Sequence, residues 1–365
     1  MLANVLQSDK NMTSQTVTSF IILFSKNVVL HLPAPSSNLH HIKALKVIQS
    51  INPIQFVQKS LELILQNKED EWKGEDNPNK VAHLLALDGA KERLHLFEAN
   101  LLEEQSFDPA IDGCECVFHT ASPVSLTATK EELVDPALKG TLNVLRSCAK
   151  ASSVKRVVIT SSMATIMVTG KPVSPDVIMD ETWFSDPKHC EETKSCSHSK
   201  QWYALSKTLA EEAAQRFTKE NGIELVTLHP GLVIGPILHP TLSLSSEAIF
   251  NIIKEGKEAL PNGIYRFVDV RDVALAHIKA FENPSASGRY CLVEVVTYSH
   301  VALNIVHKLF PSLPIPDKGK QELPFVAPYQ VSKERTEALG VSLTPLEISL
   351  KDTVESFREH NLLSF

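Results

Sequence analysis

The chain has 365 residues, 43% hydrophobic and 22% charged, enough to bury the core of one large α/β domain with a smaller lobe. Its net charge of −7 argues against a nucleic-acid binder, which needs clustered cations to meet phosphates. Six cysteines, most of them widely spaced, read as reduced thiols of an intracellular protein.

No basic stretch leads into an apolar block at the start, so a secretory signal is not expected. The early apolar run Phe20 to Phe24 is cut by Ser25 and Lys26 and resumes at Val28, which is too short and broken to span a bilayer. The expected address is therefore cytoplasmic. Residues 19–24 and 28–32 are strand-like, and residues 56–66 place Val57, Leu61 and Ile64 at helical spacing. The pair His40-His41 carries no assignable role. The first of 13 glycines is Gly74. Residues 1–73 therefore contain no glycine-rich phosphate loop of any form.

From about Asn77 the texture changes to strands alternating with helices. Strands are expected at residues 94–99, followed by Asn100 and Leu101, and at 116–119, followed by Thr120, Ala121, Ser122 and Pro123. A helix is expected from near Pro136, with proline in its first turn, to Lys150. The β-branched run 156–160 reads as a central strand ending in Ser161-Ser162. After a longer connection come a helix over about 200–220 and a strand at 224–228, ending in His229-Pro230-Gly231. This rhythm implies a Rossmann-like, doubly wound parallel sheet, with its ligand beyond the carboxyl ends of the strands. The expected organisation is an atypical segment 1–76, a dinucleotide-binding and catalytic domain 77–237, and a substrate lobe over 238–365. Elements near 264–282 are expected to return to the sheet.

Tyr203 and Lys207 lie four apart on one helix face, and Ser162 ends the adjacent strand. A cation beside a phenol lowers its pKa and makes it a usable proton donor and acceptor. Ser162 can hold a carbonyl oxygen while Tyr203 protonates the forming alkoxide. The same Tyr-x-x-x-Lys spacing recurs at Tyr329 and Lys333. There, prolines 324 and 328 mark a loop-like context, so no chemistry is assigned to it.

The stretches Val117-Phe-His-Thr-Ala-Ser-Pro-Val124, Thr160-Ser-Ser162, Tyr203-Ala-Leu-Ser-Lys207, His229-Pro-Gly-Leu-Val-Ile-Gly-Pro236 and Phe267-Val-Asp-Val-Arg-Asp-Val273 together resemble a known group. It is the plant cinnamoyl-CoA reductase and dihydroflavonol reductase group of extended short-chain dehydrogenases/reductases. The resemblance runs from about residue 77 to the C-terminus. It implies an NADPH-dependent oxidoreductase, with NADH less favoured, in which Ser162, Tyr203 and Lys207 are catalytic and Lys207 also holds the nicotinamide ribose. It further implies that Asn100 and Leu101 contact adenine, that Thr120, Ala121 and Ser122 form the cofactor edge, and that Pro230 and Val233 flank the nicotinamide. Two departures stand out. The opening glycine-rich strand-turn-helix unit is absent. The catalytic stretch reads Gln201-Trp-Tyr-Ala-Leu-Ser-Lys207 where cinnamoyl-CoA reductases carry Asn-Trp-Tyr-Cys-Tyr-Gly-Lys.

The second departure favours a reductase of small aldehydes or ketones, of the phenylacetaldehyde-reductase-like or alcohol-dehydrogenase-like kind. A hydroxycinnamoyl-CoA reductase is the alternative. From another class, an inactive pseudoenzyme or binding protein lacking the phosphate loop is the competitor. The only partner implied is a small carbonyl compound, with no nucleic acid, membrane or protein. His189, Cys190, Cys196 and His198 lack metal-ligand spacing and read as an exposed loop, so no metal is expected. Cys114 and Cys116 are expected to point the same way from one strand. Asp269 and Asp272 are expected to cap a helix start, with Arg271 as charge partner.

Overall fold

Two short strands open the computed structural model, which describes residues 20–23, 29–31, 95–97, 99–124, 129–192, 198–237, 242–255, 263–314 and 329–365. They are β1 (Phe20–Leu23) and β2 (Val29–His31), followed by β3 (His95–Phe97). Then come α1 (Asp108–Ile111), β4 (Cys116–His119), α2 (Lys130–Lys150) and β5 (Arg156–Thr160). The connection after β5 holds α3 (Ala164–Met167), β6 (Ile178–Met179) and α4 (Pro187–Glu192). It leads into α5 (His198–Asn221), β7 (Glu224–Pro230) and β8 (Leu232–Ile234). The remainder comprises α6 (Leu244–Glu255), β9 (Ile264–Asp269), α7 (Val270–Glu282), β10 (Gly288–Leu292) and β11 (Val295–Tyr298). It ends with α8 (Ser299–Leu309), β12 (Gln330–Val331), α9 (Glu334–Ala338) and α10 (Leu346–Glu359).

The main sheet has seven strands in the order β10-β7-β5-β4-β1-β2-β3, a doubly wound α/β arrangement. The strands from β10 to β1 run parallel, with Cys116 opposite Arg156 and Arg156 opposite Glu224. Their alternation builds two cores. Val158 and Phe118 face one against α7, and Val157 and Val117 face the other against α2. Parallel pairing brings the carboxyl ends of β4, β5 and β7 to one edge. From β1 the chain moves outward to β2 and β3, then returns to β4 on the other side of β1. The β1/β4 junction is therefore the topological switch point, where such sheets bind ligands.

Of the strand-like segments, Phe20–Leu23 and Val29–His31 join the main sheet as a hairpin. Ile22 pairs with Phe118 in parallel and with Leu30 in antiparallel fashion. Only five residues separate β1 from β2, whereas a parallel crossover needs a dozen or more. Antiparallel pairing is the geometric consequence. The helical expectation for 56–66 lies outside the described residues.

Several expectations need correction. Helix α2 starts six residues before Pro136, because Thr129 and Glu132 form a reciprocal capping box (Glu132 N to Thr129 Oγ1, 3.3 Å; Thr129 N to Glu132 Oε2, 2.8 Å). Pro136 thus sits inside the helix. The strand that rejoins the main sheet is β10, not β9. β9 belongs to a separate three-stranded sheet, β11-β9-β8, which packs with α6, α8 and α10 around Tyr265, Phe267 and Phe357. Of the 264–282 stretch, only α7 returns to the main sheet, against β5 and β7. Cys114 and Cys116 lie in different cores, since Cys114 precedes the strand. Cys190 is not in an exposed loop but fully buried in α4, against Val134, Ala204 and Leu205. Cys196 lies outside the described residues.

Asp269 is the N-cap of α7, accepting from Arg271 N at 2.8 Å and pairing with the Arg271 guanidinium. It also accepts from Ser349 in α10, and Asp272 accepts from Thr344 N and Oγ1. The Val268-to-Val273 motif therefore staples the small lobe to the main sheet.

Candidate active site

β5 ends where its last carbonyl, Thr160 O, turns toward α5. Lys207 Nζ donates to that carbonyl at 2.9 Å. Thr160 Oγ1 meets His277 Nε2 at 2.7 Å, and His277 Nδ1 meets the Val273 carbonyl at 2.8 Å. A carbonyl only accepts, so Nδ1 carries the proton and Thr160 donates to Nε2. Two residues on, Ser162 is held by its own turn. Its Oγ accepts from Ala164 N at 3.1 Å, and its carbonyl accepts from Thr165 Oγ1 at 3.0 Å and His229 Nδ1 at 3.2 Å. Tyr203, near the start of α5, hydrogen-bonds the Ser162 side chain. The structure therefore brings Ser162, Tyr203 and Lys207 together at the carboxyl edge.

The electrostatics differ from the sequence expectation. Burial raises the Tyr203 pKa and the Ser162 hydrogen bond only partly offsets this, so the phenol is not lowered. The perturbation falls on Lys207 instead, which burial depresses to about 8 against the opposing pull of Glu211. The reason is desolvation. Both groups leave water for a site where the lysine faces a neutral carbonyl.

The other expected residues divide. Thr120, Ala121 and Ser122 follow β4 at the switch point, all buried. Pro230 closes β7 and its carbonyl accepts from Met163 N at 3.1 Å. Val233, in β8, packs into the α7-side core. Asn100 is exposed beyond β3, its Oδ1 accepting from Leu102 N at 3.0 Å. Leu101 is a core side chain packed near Gly140, with its carbonyl bound by Asn143. Its side chain is thereby committed to packing. Tyr329 is buried against Arg266, and Lys333 pairs with Glu294.

Sequence reasoning missed the layer beneath the site. Glu211, one turn beyond Lys207, accepts from Ser161 Oγ at 2.7 Å and from Arg289 Nε at 2.8 Å. His229 is buried beside it and held neutral, its pKa depressed to about 4 by burial. His119, depressed to about 3, bonds Thr141 at 3.2 Å through Nε2 and has no partner at Nδ1 among the described residues. It lines a cavity of about 10 Å³ with Lys207, Ser161 and Glu211. Glu211 continues the Tyr203-Lys207 stripe at the same four-residue step, a signal visible in the sequence; Arg289 left none. No cluster of three or more His, Cys, Asp or Glu suits a metal among the described residues. No helix among them is long and apolar enough to cross a membrane.

A family model described as the NAD dependent epimerase/dehydratase family matches residues 61–293. The chain belongs to that family. A cinnamoyl-CoA reductase from Medicago truncatula, CAD2, is 54% identical over 286 residues, covering 78% of this chain and 86% of that one. Vestitone reductase from alfalfa shares the fold at TM-score 0.69 and 29% identity, covering 85% of this chain and 96% of that one. Yeast Gre2, a methylglyoxal/isovaleraldehyde reductase complexed with NADPH, superposes at TM-score 0.62 and 26% identity, covering 72% and 83%. The family member described here is thus an NAD(P)-dependent oxidoreductase of the cinnamoyl-CoA and dihydroflavonol reductase group. The 54% identical relative is named a cinnamoyl-CoA reductase, which matches the expected alternative better than the expected reductase of small aldehydes or ketones.

The residues fit that cofactor unevenly. At its reactive end, a buried ammonium (Lys207), the Nδ1 of His119, which is unpartnered among the described residues, and the buried Thr120–Ser122 edge line the switch point. At its diphosphate end the family's glycine turn and helix N-terminus have no counterpart among the described residues. β1 leads through five glycine-free residues into antiparallel β2.

Proposed function

We propose that this chain is a hydroxycinnamoyl-CoA reductase, with Ser162, Tyr203 and Lys207 as its catalytic residues. The hydrogen bond between Tyr203 and Ser162 beside the buried Lys207 carries the chemistry. The 54% identity to CAD2 supports the thioester as substrate.

NADPH, when bound, supplies the hydride. The chain's own residues handle the oxygen and the proton. Ser162 and Tyr203 stand side by side, so their hydroxyls can together hold a carbonyl oxygen and stabilise negative charge as it develops there. A phenol kept neutral by burial is a donor at neutral pH. It protonates the forming alkoxide while Lys207, still an ammonium below about pH 8, favours the phenolate left behind. With a thioester, the Tyr203 phenolate takes the proton back from the hemithioacetal hydroxyl as the C–S bond breaks, giving the aldehyde and a thiolate that a solvent proton converts to free coenzyme A. With a free aldehyde, the same proton transfer gives the alcohol.

One observation favours the free aldehyde as a second reading: Ala204, Leu205 and Ser206 stand where cinnamoyl-CoA reductases carry Cys-Tyr-Gly. Incubation with NADPH and either feruloyl-CoA or coniferaldehyde separates the two. Free thiol released in step with NADPH loss is expected. Turnover of the aldehyde without thiol release from the thioester would overturn the proposal in favour of the second reading.

A further inference from the structure

Glu211 is a carboxylate at 4% exposure, one helical turn beyond Lys207. Burying such a charge is costly unless it is fully paired. Its main partner, Arg289 from β10, is itself 7% exposed. Arg289 donates from Nε to Glu211 at 2.8 Å and from one terminal nitrogen to the carbonyls of Glu181 and Trp183. The other donates to Thr165 O and Oγ1 at 3.2 and 3.0 Å. Thr165 Oγ1 in turn donates to the Ser162 carbonyl, and the far oxygen of Glu211 accepts from Ser161. One ion pair therefore clamps the helix that carries Tyr203 and Lys207 to the strand end that carries Ser162. An apolar pair of similar volume would stabilise such a fold as well or better, so stability alone does not account for the charges.

We propose that the buried Glu211–Arg289 pair is a positioning element for the reaction, fixing α5 against the end of β5 and supplying the anion that balances Lys207. The inference rests on the catalytic roles proposed above. The ionisable groups facing Lys207 are Glu211 and Tyr203 on its own helix, His119 from β4 and His229 from β7. Burial keeps the two histidines neutral and the tyrosine protonated. Among the described residues Glu211 is thus the one anion facing Lys207, and although it is paired with Arg289 it opposes the desolvation of Lys207.

The test compares Glu211→Gln and Glu211→Asp, with the double variant Glu211→Gln/Arg289→Met in case the single change leaves Arg289 too poorly matched to fold. The Lys207 titration is followed by NMR of protein carrying lysine labelled at Cε, its signal assigned by loss in Lys207→Met. In Glu211→Gln the Lys207 midpoint is expected to fall by about one pH unit, and in the double variant, which also removes the Arg289 cation, by a smaller amount, with the alkaline limb of kcat moving alike. Glu211→Asp is expected to keep the midpoint and lose kcat roughly tenfold at unchanged KM, because the charge stays while its reach shortens. An unmoved Lys207 midpoint in a folded Glu211→Gln or double variant would overturn the proposal. The NMR readout needs no turnover, so it decides this point even if the wild type reduces neither feruloyl-CoA nor coniferaldehyde, an outcome that would sink the functional reading alone.

Discussion

The two flanks of the main sheet are built differently. On the β5-β7-β10 side every strand is parallel, and the polar groups at the carboxyl edge are tied into one network running from Ser162 through Thr165 and Arg289 to Glu211. On the β1-β2-β3 side a glycine-free hairpin replaces the strand-turn-helix unit, and β2 runs against its neighbours. The contrast shows that a sheet can be completed without reproducing the site that normally comes with it. Strand pairing needs only backbone donors and acceptors in register, whereas a diphosphate cradle needs a helix N-terminus reached through a glycine turn. The first requirement is generic and the second is not.

The largest effect should come from the catalytic flank. Tyr203→Phe removes the proposed proton donor but little packing, and kcat is expected to fall roughly 100- to 10,000-fold with the melting temperature nearly unchanged. A loss below tenfold in steady-state assays would move the proton-transfer role elsewhere. Glycine substitutions compare the stiffness of the two sides. A Cβ on Gly231 would lie 2.1 Å from the Arg266 carbonyl oxygen, whereas one on Gly140 would meet the Leu101 side chain at 3.2 Å. Gly231→Ala is expected to cost about 3 kcal/mol or more, because backbone cannot yield, whereas Gly140→Ala is expected to change stability by less than about 1 kcal/mol, the helix gain of alanine offsetting its contact with Leu101. Urea unfolding of both variants checks the ranking.

Buried charge behind the catalytic flank should also show in pH dependence. Burial is the main cause raising Asp272 to about 6 from its ordinary 3.8. The folded state therefore binds a proton that the unfolded state has released, and this group's contribution to stability falls as pH rises from about 4 through 6. Asn in its place can still accept from Thr344 N and donate to Thr344 Oγ1. Relative to wild type, Asp272→Asn is expected to gain of order 2 kcal/mol between pH 4 and pH 7, measured by chemical denaturation at each pH. A constant offset across that range would refute the assignment.

The smallest expected difference belongs to the hairpin flank. Calorimetric titration should give NADPH a Kd within about tenfold of that for reduced nicotinamide mononucleotide, because among the described residues the diphosphate and adenosine find no helix N-terminus beyond β1. A gap of a thousandfold would mean that the chain builds a phosphate site from residues other than a glycine turn.

Much of this was legible along the chain. The β-branched run at 156–160, the alternation of strands with helices and the four-residue step from Tyr203 to Lys207 are local patterns, each set by side-chain shape and backbone period. They led to a parallel sheet and to Ser162, Tyr203 and Lys207 on one edge. Thr129 and Glu132 were equally readable as a helix start, and Pro136 drew attention from them. Glu211 stood on the same stripe as the catalytic pair, but nothing local distinguishes a buried carboxylate from a solvated one four residues along an amphipathic helix.

What only the tertiary structure decided depends on contacts far apart in sequence. Arg289 lies 78 residues from Glu211, and their pairing exists because β10 docks beside β7. That docking carries β10, rather than β9, back to the main sheet. The pKa values followed the same logic. Spacing alone put a cation beside Tyr203, but burial decided that the perturbed group is Lys207, since desolvation is a property of the packed fold. The sequence by itself determined that no glycine precedes Gly74. Only the fold decided that β1 and β2 would nonetheless close the sheet, since β pairing asks for register and length but not for any particular side chain.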